Sequence, residues 1–137
     1  MDSSAACSTN NGTIYIPIVA STTNTGAYSW TIPDAITTQG LVRITDVADN
    51  TVVDVSNANF KIMGNFTVTA PNGGEVFTVG SSQNITWTWS GSMNFAKIDY
   101  STNGGATFPN LIVGSTANNG LYGWTVPDAI SGQVRVR

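Results

Sequence analysis

The sequence predicts an all-β protein whose antiparallel strands pack as a β-sandwich, and two observations support this. Nearly every apolar segment alternates with polar residues at period two, which is the pattern of strands that bury one face. Turn sequences rich in Asn, Asp and Gly separate these segments about every eight to twelve residues, a spacing typical of sandwiches. No segment has convincing helical periodicity, so at most a single helical turn is expected at residues 33–35 and 127–129.

The clearest strands lie in the second half of the chain. Residues 66–70, 83–90 and 95–101 alternate apolar side chains with Thr, Asn or charged ones, so each predicts a strand with one buried face. Shorter or less regular segments predict the remaining strands, at residues 41–45, 51–55, 58–62, 75–79, 107–114 and 121–125, with a last strand that begins near residue 133.

One stretch occurs twice and defines the organisation of the chain. Residues 21–43 and 115–137 are identical at 14 of 23 positions, at a constant spacing of 94 residues. Both copies contain the pattern Tyr-x-Trp-Thr-x-Pro-Asp-Ala-Ile. Self-similarity at a fixed spacing marks a structural unit, and this spacing suits a small domain.

The fold is therefore expected to be out of phase with the 94-residue repeat. The first copy continues into residues 44–62, which the second copy lacks, whereas residues 65–100 precede only the second copy. We expect four parts along the chain: a flexible N-terminal tail at residues 1–12, the C-terminal part of one repeat at 13–62, a linker at 63–64, and a repeat that lacks its last strand or strands at 65–137.

The composition excludes several classes of function. Charged residues make up only 9% of the chain and the net charge is −3, so no basic surface is expected for nucleic acid. The chain has no His and a single Cys, which excludes His-based catalytic triads and internal disulfides. We expect no cofactor, no membrane span and no enzymatic activity. Cys7 is interpreted as a free thiol in the tail, with an intermolecular bridge as the alternative.

Five motifs carry a resemblance to a known family. They are PNGGE, the I-T-W segment, K-I-x-Y-S-T-x-G-G, Y-x-W-T-x-P-D and the V-R-[I/V]-T-D strand. Together they resemble a bacterial immunoglobulin-like repeat, similar to the Ser/Thr-rich family first described in GPI-anchored yeast cell-wall proteins. The resemblance covers residues 9–137. It implies an immunoglobulin/fibronectin-III-like antiparallel β-sandwich without catalytic activity, located outside the cell or at its surface. The chain departs from the family pattern in phase, since it begins and ends in mid-repeat.

The aromatic residues have two interpretations. Recurrence at the repeat spacing favours a role in the core, because a scaffold residue must recur in every repeat whereas a binding residue need not. The alternative is a platform on which sugar rings stack, and Trp89, near the end of its strand, is the best candidate for an exposed position. The predicted core residues are Trp30, Trp87, Trp124, Tyr28, Tyr122 and Ile98.

The acidic residues offer a weak candidate metal site. Asp46, Asp49 and Asp54, with Asn50, supply the oxygen ligands that Ca²⁺ prefers, but they lack the Gly and the terminal Glu of an EF-hand loop. A polar hairpin turn is the alternative. Glu75 has no partner carboxylate at a readable position, so no glycosidase pair is proposed. Three Asn-x-Thr sequences make candidate glycosylation sites at Asn11, Asn65 and Asn84.

These observations predict a structural module that associates with itself. A sandwich without its last strand leaves backbone N–H and C=O groups unpaired, and a neighbouring copy can fill the gap by strand addition. We expect residues 44–62 of one copy to complete the unit 65–137 of another, which gives a head-to-tail homopolymer. The residues expected at this contact are Ile44, Val53, Val55, Phe60, Ile62, Val134 and Val136.

Three alternatives stay open. Residues 8–62 could instead fold with residues 65–100 of the same chain, as a circularly permuted domain. The chain could be a carbohydrate-binding or spacer module of a secreted hydrolase, with a cell-surface polysaccharide as partner. It could also be a segment of a longer tandem array of such domains.

Overall fold

The computed structural model describes all 137 residues and contains eleven strands and no helix. All strand pairings are antiparallel, which confirms the predicted all-β, antiparallel fold. The chain divides into two compact units, residues 1–64 and 65–137, here called unit 1 and unit 2. Every strand pairs with strands of its own unit. The alternative in which residues 8–62 pair with residues 65–100 is therefore wrong.

Unit 1 is a single antiparallel sheet. Its strands are β1 (Asp2–Ser8), β2 (Ile16–Thr23), β3 (Thr37–Asp46), β4 (Val53–Val55) and β5 (Phe60–Ile62). The strand order is β2-β1-β3-β4, and β5 also pairs with β3. β3 is the longest strand, and it pairs with β4 near its C-terminal end and with β5 near its N-terminal end. Residues 44–62 thus already belong to the sheet of their own unit.

Strand β1 forms where the sequence predicts a flexible tail. Since β1 lies between β2 and β3, that prediction is wrong for residues 2–8. The residues that alternate onto one face of β1 are Ser3, Ala5 and Cys7, and their small size gives almost no contrast in hydropathy. Cys7 is a free thiol but is buried in the sheet, and this burial raises the pKa of the thiol.

Unit 2 has two three-stranded sheets. Its strands are β6 (Asn65–Ala70), β7 (Ser82–Ser90), β8 (Phe95–Ser101), β9 (Asn110–Ala117), β10 (Leu121–Thr125) and β11 (Arg135–Val136). One sheet has the order β10-β7-β6 and the other the order β11-β8-β9. Side chains from both sheets meet in one core, formed by Ile85, Trp87, Ala96, Ile98 and Trp124.

Residues 75–79 form a loop in place of the predicted strand. The Glu75 carboxylate accepts hydrogen bonds from the backbone N–H groups of Asn72 at 2.8 Å and Gly73 at 2.7 Å. These bonds lower the pKa of Glu75 and fold the PNGGE sequence into a turn. Gly73 and Gly74 have φ angles of 124° and 87°, in a region that residues with a side chain rarely adopt.

The correspondence between the two units extends beyond the stretch that is repeated in sequence. The Ser8 hydroxyl donates to the Asn10 side chain at 2.9 Å, and the Ser101 hydroxyl donates to the Asn103 side chain at 2.7 Å. Both serines end a central strand and are fully buried. The same turn therefore follows β1 in unit 1 and β8 in unit 2.

A cation–aromatic contact is also present in both units. The guanidinium of Arg43 lies 4.2 Å from the ring centroid of Tyr15, and that of Arg137 lies 4.4 Å from the ring centroid of Phe108. On this basis β1, β2 and β3 correspond to β8, β9 and β11.

Candidate functional site

Unit 2 has an open groove of about 1120 Å³ beside β11, and apolar side chains line much of it. Val76 and Ile130 are 94% and 89% exposed, and Val134 is also exposed. Arg135 and Arg137 add positive charge to the lining, and Glu75 adds one negative charge. An apolar groove with cationic groups is complementary to a segment that carries both apolar and acidic residues.

In unit 1 the corresponding position is occupied by β5. Phe60 of β5 pairs with Gly40 of β3, and a Cβ atom added to Gly40 would lie 2.7 Å from the Phe60 ring. The sequence repeat places Val134 of unit 2 at the position of Gly40. Phe60 of another copy therefore could not pack beside β11 as it packs beside β3 without a shift of the ring or the strand.

The residues predicted for the assembly contact have different environments. In unit 1, Ile44 and Val53 are exposed, Val55 and Phe60 are partly buried, and Ile62 is buried. In unit 2, Val134 is exposed at the groove, and Val136 packs partly buried against the core. The exposed members of this set lie on β3, on β4 and just before β11.

The outer edge of β4 is unpaired. β4 is the last strand in the order of its sheet. The C=O of Val52 accepts a hydrogen bond from β3 at 3.0 Å, and the N–H of Ser56 donates one to β3 at 2.9 Å. Because backbone groups alternate in direction along an antiparallel strand, the N–H and C=O groups of Val53 and Val55 point away from β3.

The outer edge of β11 is unpaired as well. β11 is the first strand in the order β11-β8-β9. Arg137 and Asp99 exchange both backbone hydrogen bonds, each at 2.9 Å, so the backbone of Arg137 faces β8. By the same alternation the N–H and C=O groups of Val136 point away from β8, toward the open edge.

The acidic residues of unit 1 are concentrated at the β3–β4 hairpin. The Asp46 carboxylate accepts the N–H of Ala48 at 2.7 Å, and the Asp49 carboxylate accepts from Thr51. The Thr51 side-chain and backbone hydrogen bonds lower the pKa of Asp49. These carboxylates are engaged in the hairpin turn, and the chain has no group of three or more acidic, Cys or His side chains placed to hold a metal ion.

Positive charge is concentrated near β11. The buried Asp99 carboxylate lies 3.0 Å from Lys97 and 3.1 Å from Arg137. The hydrogen bond from Lys97 is the main cause of a lowered pKa at Asp99, with a further contribution from Arg137, and burial opposes both. Arg135 forms no ion pair. The region therefore has three cationic side chains and one buried carboxylate, that of Asp99. The cationic side chains are those of Lys97, Arg135 and Arg137.

The predicted core residues of unit 2 are buried or pack partly buried against its core, whereas neither of the two in unit 1 is buried. Trp124 is 8% exposed, and its ring centroid lies 5.7 Å from that of Tyr100. Tyr28 is 50% exposed, so its assignment to the core is wrong. Trp30 is partly buried and meets Phe60 edge-on, with ring centroids 6.4 Å apart. Unit 1 lacks a counterpart of β7, the strand that pairs with the Trp124 segment in unit 2.

The other predicted core residues lie in unit 2. Trp87 and Ile98 are buried, and the Trp87 ring N–H donates to the side-chain oxygen of Asn118 at 2.7 Å. Tyr122 packs partly buried against the same core.

An aromatic pair is exposed at one end of unit 2. Phe66 on β6 and Trp89 on β7 are directly opposite each other in the strand register, and they are 42% and 43% exposed. Residues opposite each other in an antiparallel pair project from the same face. The exposure expected for Trp89 from its place near the strand end is therefore observed.

The three candidate glycosylation sites all lie at the surface. Asn11, Asn65 and Asn84 are exposed. Asn11 has a φ angle of 56° in the turn after β1, whereas Asn65 and Asn84 lie in strands. Their exposure is compatible with a sugar at each site, and glycosylation itself stays a prediction.

The comparisons with known proteins give no family for this chain. No protein-family profile, no curated protein and no solved structure matches it. The structure also contains no helix with the length and apolar character needed to cross a membrane.

Proposed function

We propose that this chain is a non-catalytic structural module of an extracellular fibre or surface protein, and that its copies join head to tail by strand addition. The observation that carries the proposal is that β4 in unit 1 and β11 in unit 2 are both edge strands, each with backbone groups directed away from its own sheet. An edge strand offers a row of free N–H and C=O groups to another chain. A contact between two different surfaces of identical copies gives an open filament when the rotation does not close.

The composition and the engagement of the acidic residues support this role. Charged residues are few, and Ser, Thr, Asn and Gly take their place, as in many secreted β proteins. The carboxylates with lowered pKa, which belong to Asp49, Glu75 and Asp99, are bound by turn or ion-pair partners. Such bonds give these residues a structural role.

Concentration-dependent assembly of the purified chain tests the proposal. We expect sedimentation velocity to give species that grow with concentration, and negative-stain electron microscopy to show linear particles. A chain that remains monomeric at the highest soluble concentration contradicts head-to-tail assembly.

A second candidate function is binding of a cell-surface polysaccharide. The exposed pair Phe66 and Trp89 favours it, because aromatic faces on one side of a sheet can stack on sugar rings. This candidate predicts saturable binding to an insoluble polysaccharide that is lost in Trp89→Ala. Tyr28→Ala, which changes an exposed aromatic residue of the other unit, serves as the matched control.

A further inference from the structure

We propose that β4 of one copy pairs antiparallel with β11 of a second copy, with Val53 opposite Val136 and Asp54 opposite Arg135. This inference rests on the proposed head-to-tail association and specifies its contact. The strand orders β2-β1-β3-β4 and β11-β8-β9 then join into one continuous intermolecular sheet. Neither strand has to leave its own unit.

The directions of the backbone groups limit the register. In an antiparallel pair, two residues that exchange both hydrogen bonds must both face the partner strand. On β11 the residue that faces outward is Val136, and on β4 the outward residues are Val53 and Val55. Val136 can therefore exchange its bonds with Val53 or with Val55.

Charge favours the register with Val53. If Val53 is opposite Val136, Asp54 is opposite Arg135, which has no ion pair within its own chain. If Val55 takes that place, Asp54 is opposite Arg137, whose guanidinium already binds Asp99 at 3.1 Å. The first register gives Arg135 an ion-pair partner. The second register makes the carboxylates of Asp54 and Asp99 share the guanidinium of Arg137.

The side chains around the two edges are also complementary. The β3–β4 hairpin carries the exposed apolar residues Val47 and Val52 together with its carboxylates. The groove beside β11 combines the exposed apolar residues Val76 and Ile130 with Arg135. In the proposed register Val55 lies opposite Val134 and Val52 lies opposite Arg137, so both apolar residues meet residues that line the groove.

An exchange of strands between copies fits the structure less well than edge pairing. β4 and β5 already pair with β3, and Phe60 packs closely on Gly40. Release of these strands would lose those contacts. They could not be fully regained beside β11, where Val134 replaces Gly40.

Charge reversal in the full chain tests the pairing. Asp54→Arg alone and Arg135→Asp alone each place like charges opposite each other, so each should raise the concentration needed for assembly about tenfold or more. An equimolar mixture of the two variants should assemble, because each contact then has one Asp and one Arg. Asp2→Arg, an exposed charge reversal on β1, should leave assembly unchanged.

The outcomes separate this contact from the broader proposal. If the unmodified chain forms filaments but either single reversal leaves them intact, or if the mixture fails to restore them, the pairing is wrong and head-to-tail assembly stands. If the unmodified chain does not assemble at all, both are wrong.

A backbone variant gives an independent test. Val53→Pro removes an N–H that points away from β3, so unit 1 should keep its fold by circular dichroism while assembly is lost. Val53→Thr keeps the N–H and should assemble normally. Hydrogen exchange of the Val136 amide should slow on assembly of the unmodified chain, and an unchanged exchange rate in filaments would contradict the contact.

Discussion

Unit 1 and unit 2 share a frame of corresponding strands and turns, but only unit 2 has a second sheet packed on that frame. In unit 2 the sheet of β6, β7 and β10 packs on this frame, and a core with two buried Trp side chains forms between the sheets. Unit 1 has one sheet, and its buried apolar side chains are Ala5, Cys7 and Ile62. The smaller buried side chains predict that unit 1 is the less stable unit.

The comparison separates local from distant determinants of structure. The turns after β1 and β8 have the same hydrogen bonds, because the residues that make them lie within a few positions of one another. Burial of the Tyr-x-Trp segment depends instead on a strand far away in sequence. Tyr122 and Trp124 have β7 beside them, whereas Tyr28 and Trp30 have no such strand.

The largest expected difference between the units concerns the two corresponding tryptophans. Trp124→Ala should destabilise unit 2 by about 3–5 kcal/mol, because it removes a large buried side chain and leaves a cavity. Trp30→Ala should cost about 1–2 kcal/mol, because that side chain is only partly buried. Hydrogen exchange of the amides of each unit at increasing denaturant concentration measures the two losses of stability. Equal losses would contradict the difference in burial.

A close contact specific to unit 1 should give the next largest effect. Gly40→Ala places a Cβ atom 2.7 Å from the Phe60 ring and should destabilise unit 1 by about 1–3 kcal/mol. Gly114→Ala is the control, since a Cβ atom there meets nothing within 4 Å. Chemical denaturation of the variants measures the difference. In a Phe60→Ala background the ring is absent, so Gly40→Ala should destabilise unit 1 much less than it does in the unmodified chain. An equal loss of stability in both backgrounds would contradict a clash with the Phe60 ring.

The strands that the sequence predicted well contain large apolar residues in alternation. Ile85 and Trp87 mark β7, and Ile98 marks β8, so hydropathy alone revealed one buried face in each. β1 was missed because the residues on its corresponding face are small. The predicted strand at residues 75–79 is a loop, because the Glu75 carboxylate bonds to the preceding backbone and favours a turn.

The candidate site was predictable only in part. The sequence repeat located the segment 44–62 and the place beside β11, but it indicated an unfilled gap and not open edges at both β4 and β11. The outward direction of Val53, Val55 and Val136 depends on which backbone groups already bond to β3 and β8. The direction of these backbone groups depends on the register between strands that are distant in sequence. The alternation of side chains along one strand does not predict that register.

The shared turn should give equal and moderate effects in both units. Ser8→Ala and Ser101→Ala each remove a buried hydroxyl that accepts a backbone N–H, so each should destabilise its own unit by about 1–2 kcal/mol. Ser29→Ala and Ser115→Ala, at exposed positions, are the controls. Hydrogen exchange of each unit's amides, monitored during thermal unfolding, gives the change in stability of unit 1 and of unit 2. A loss in only one unit would show that the turn depends on the second sheet and is not local.

The smallest expected effect is an acid sensitivity of unit 2 that comes from a buried carboxylate without a counterpart in unit 1. The pKa of Asp99 lies below its ordinary value of 3.8, mainly because Lys97 hydrogen-bonds to the carboxylate. Ala6 takes this position in unit 1, since it pairs with Arg43 as Asp99 pairs with Arg137.

Because the folded state holds the Asp99 proton less tightly than the unfolded chain does, the stabilisation is complete above pH 3.8 and is lost as the pH falls through the lower folded pKa. In acid, the amides of unit 2 should lose protection from hydrogen exchange as the pH falls. Asp99→Asn should make this loss of protection less steep. Glu75→Gln controls for the other carboxylate of unit 2 with a lowered pKa, and Asp49→Asn does so for the hairpin of unit 1. If Asp99→Asn leaves the acid dependence of unit 2 unchanged while Glu75→Gln removes it, the PNGGE turn and not the buried ion pair is the acid-sensitive element.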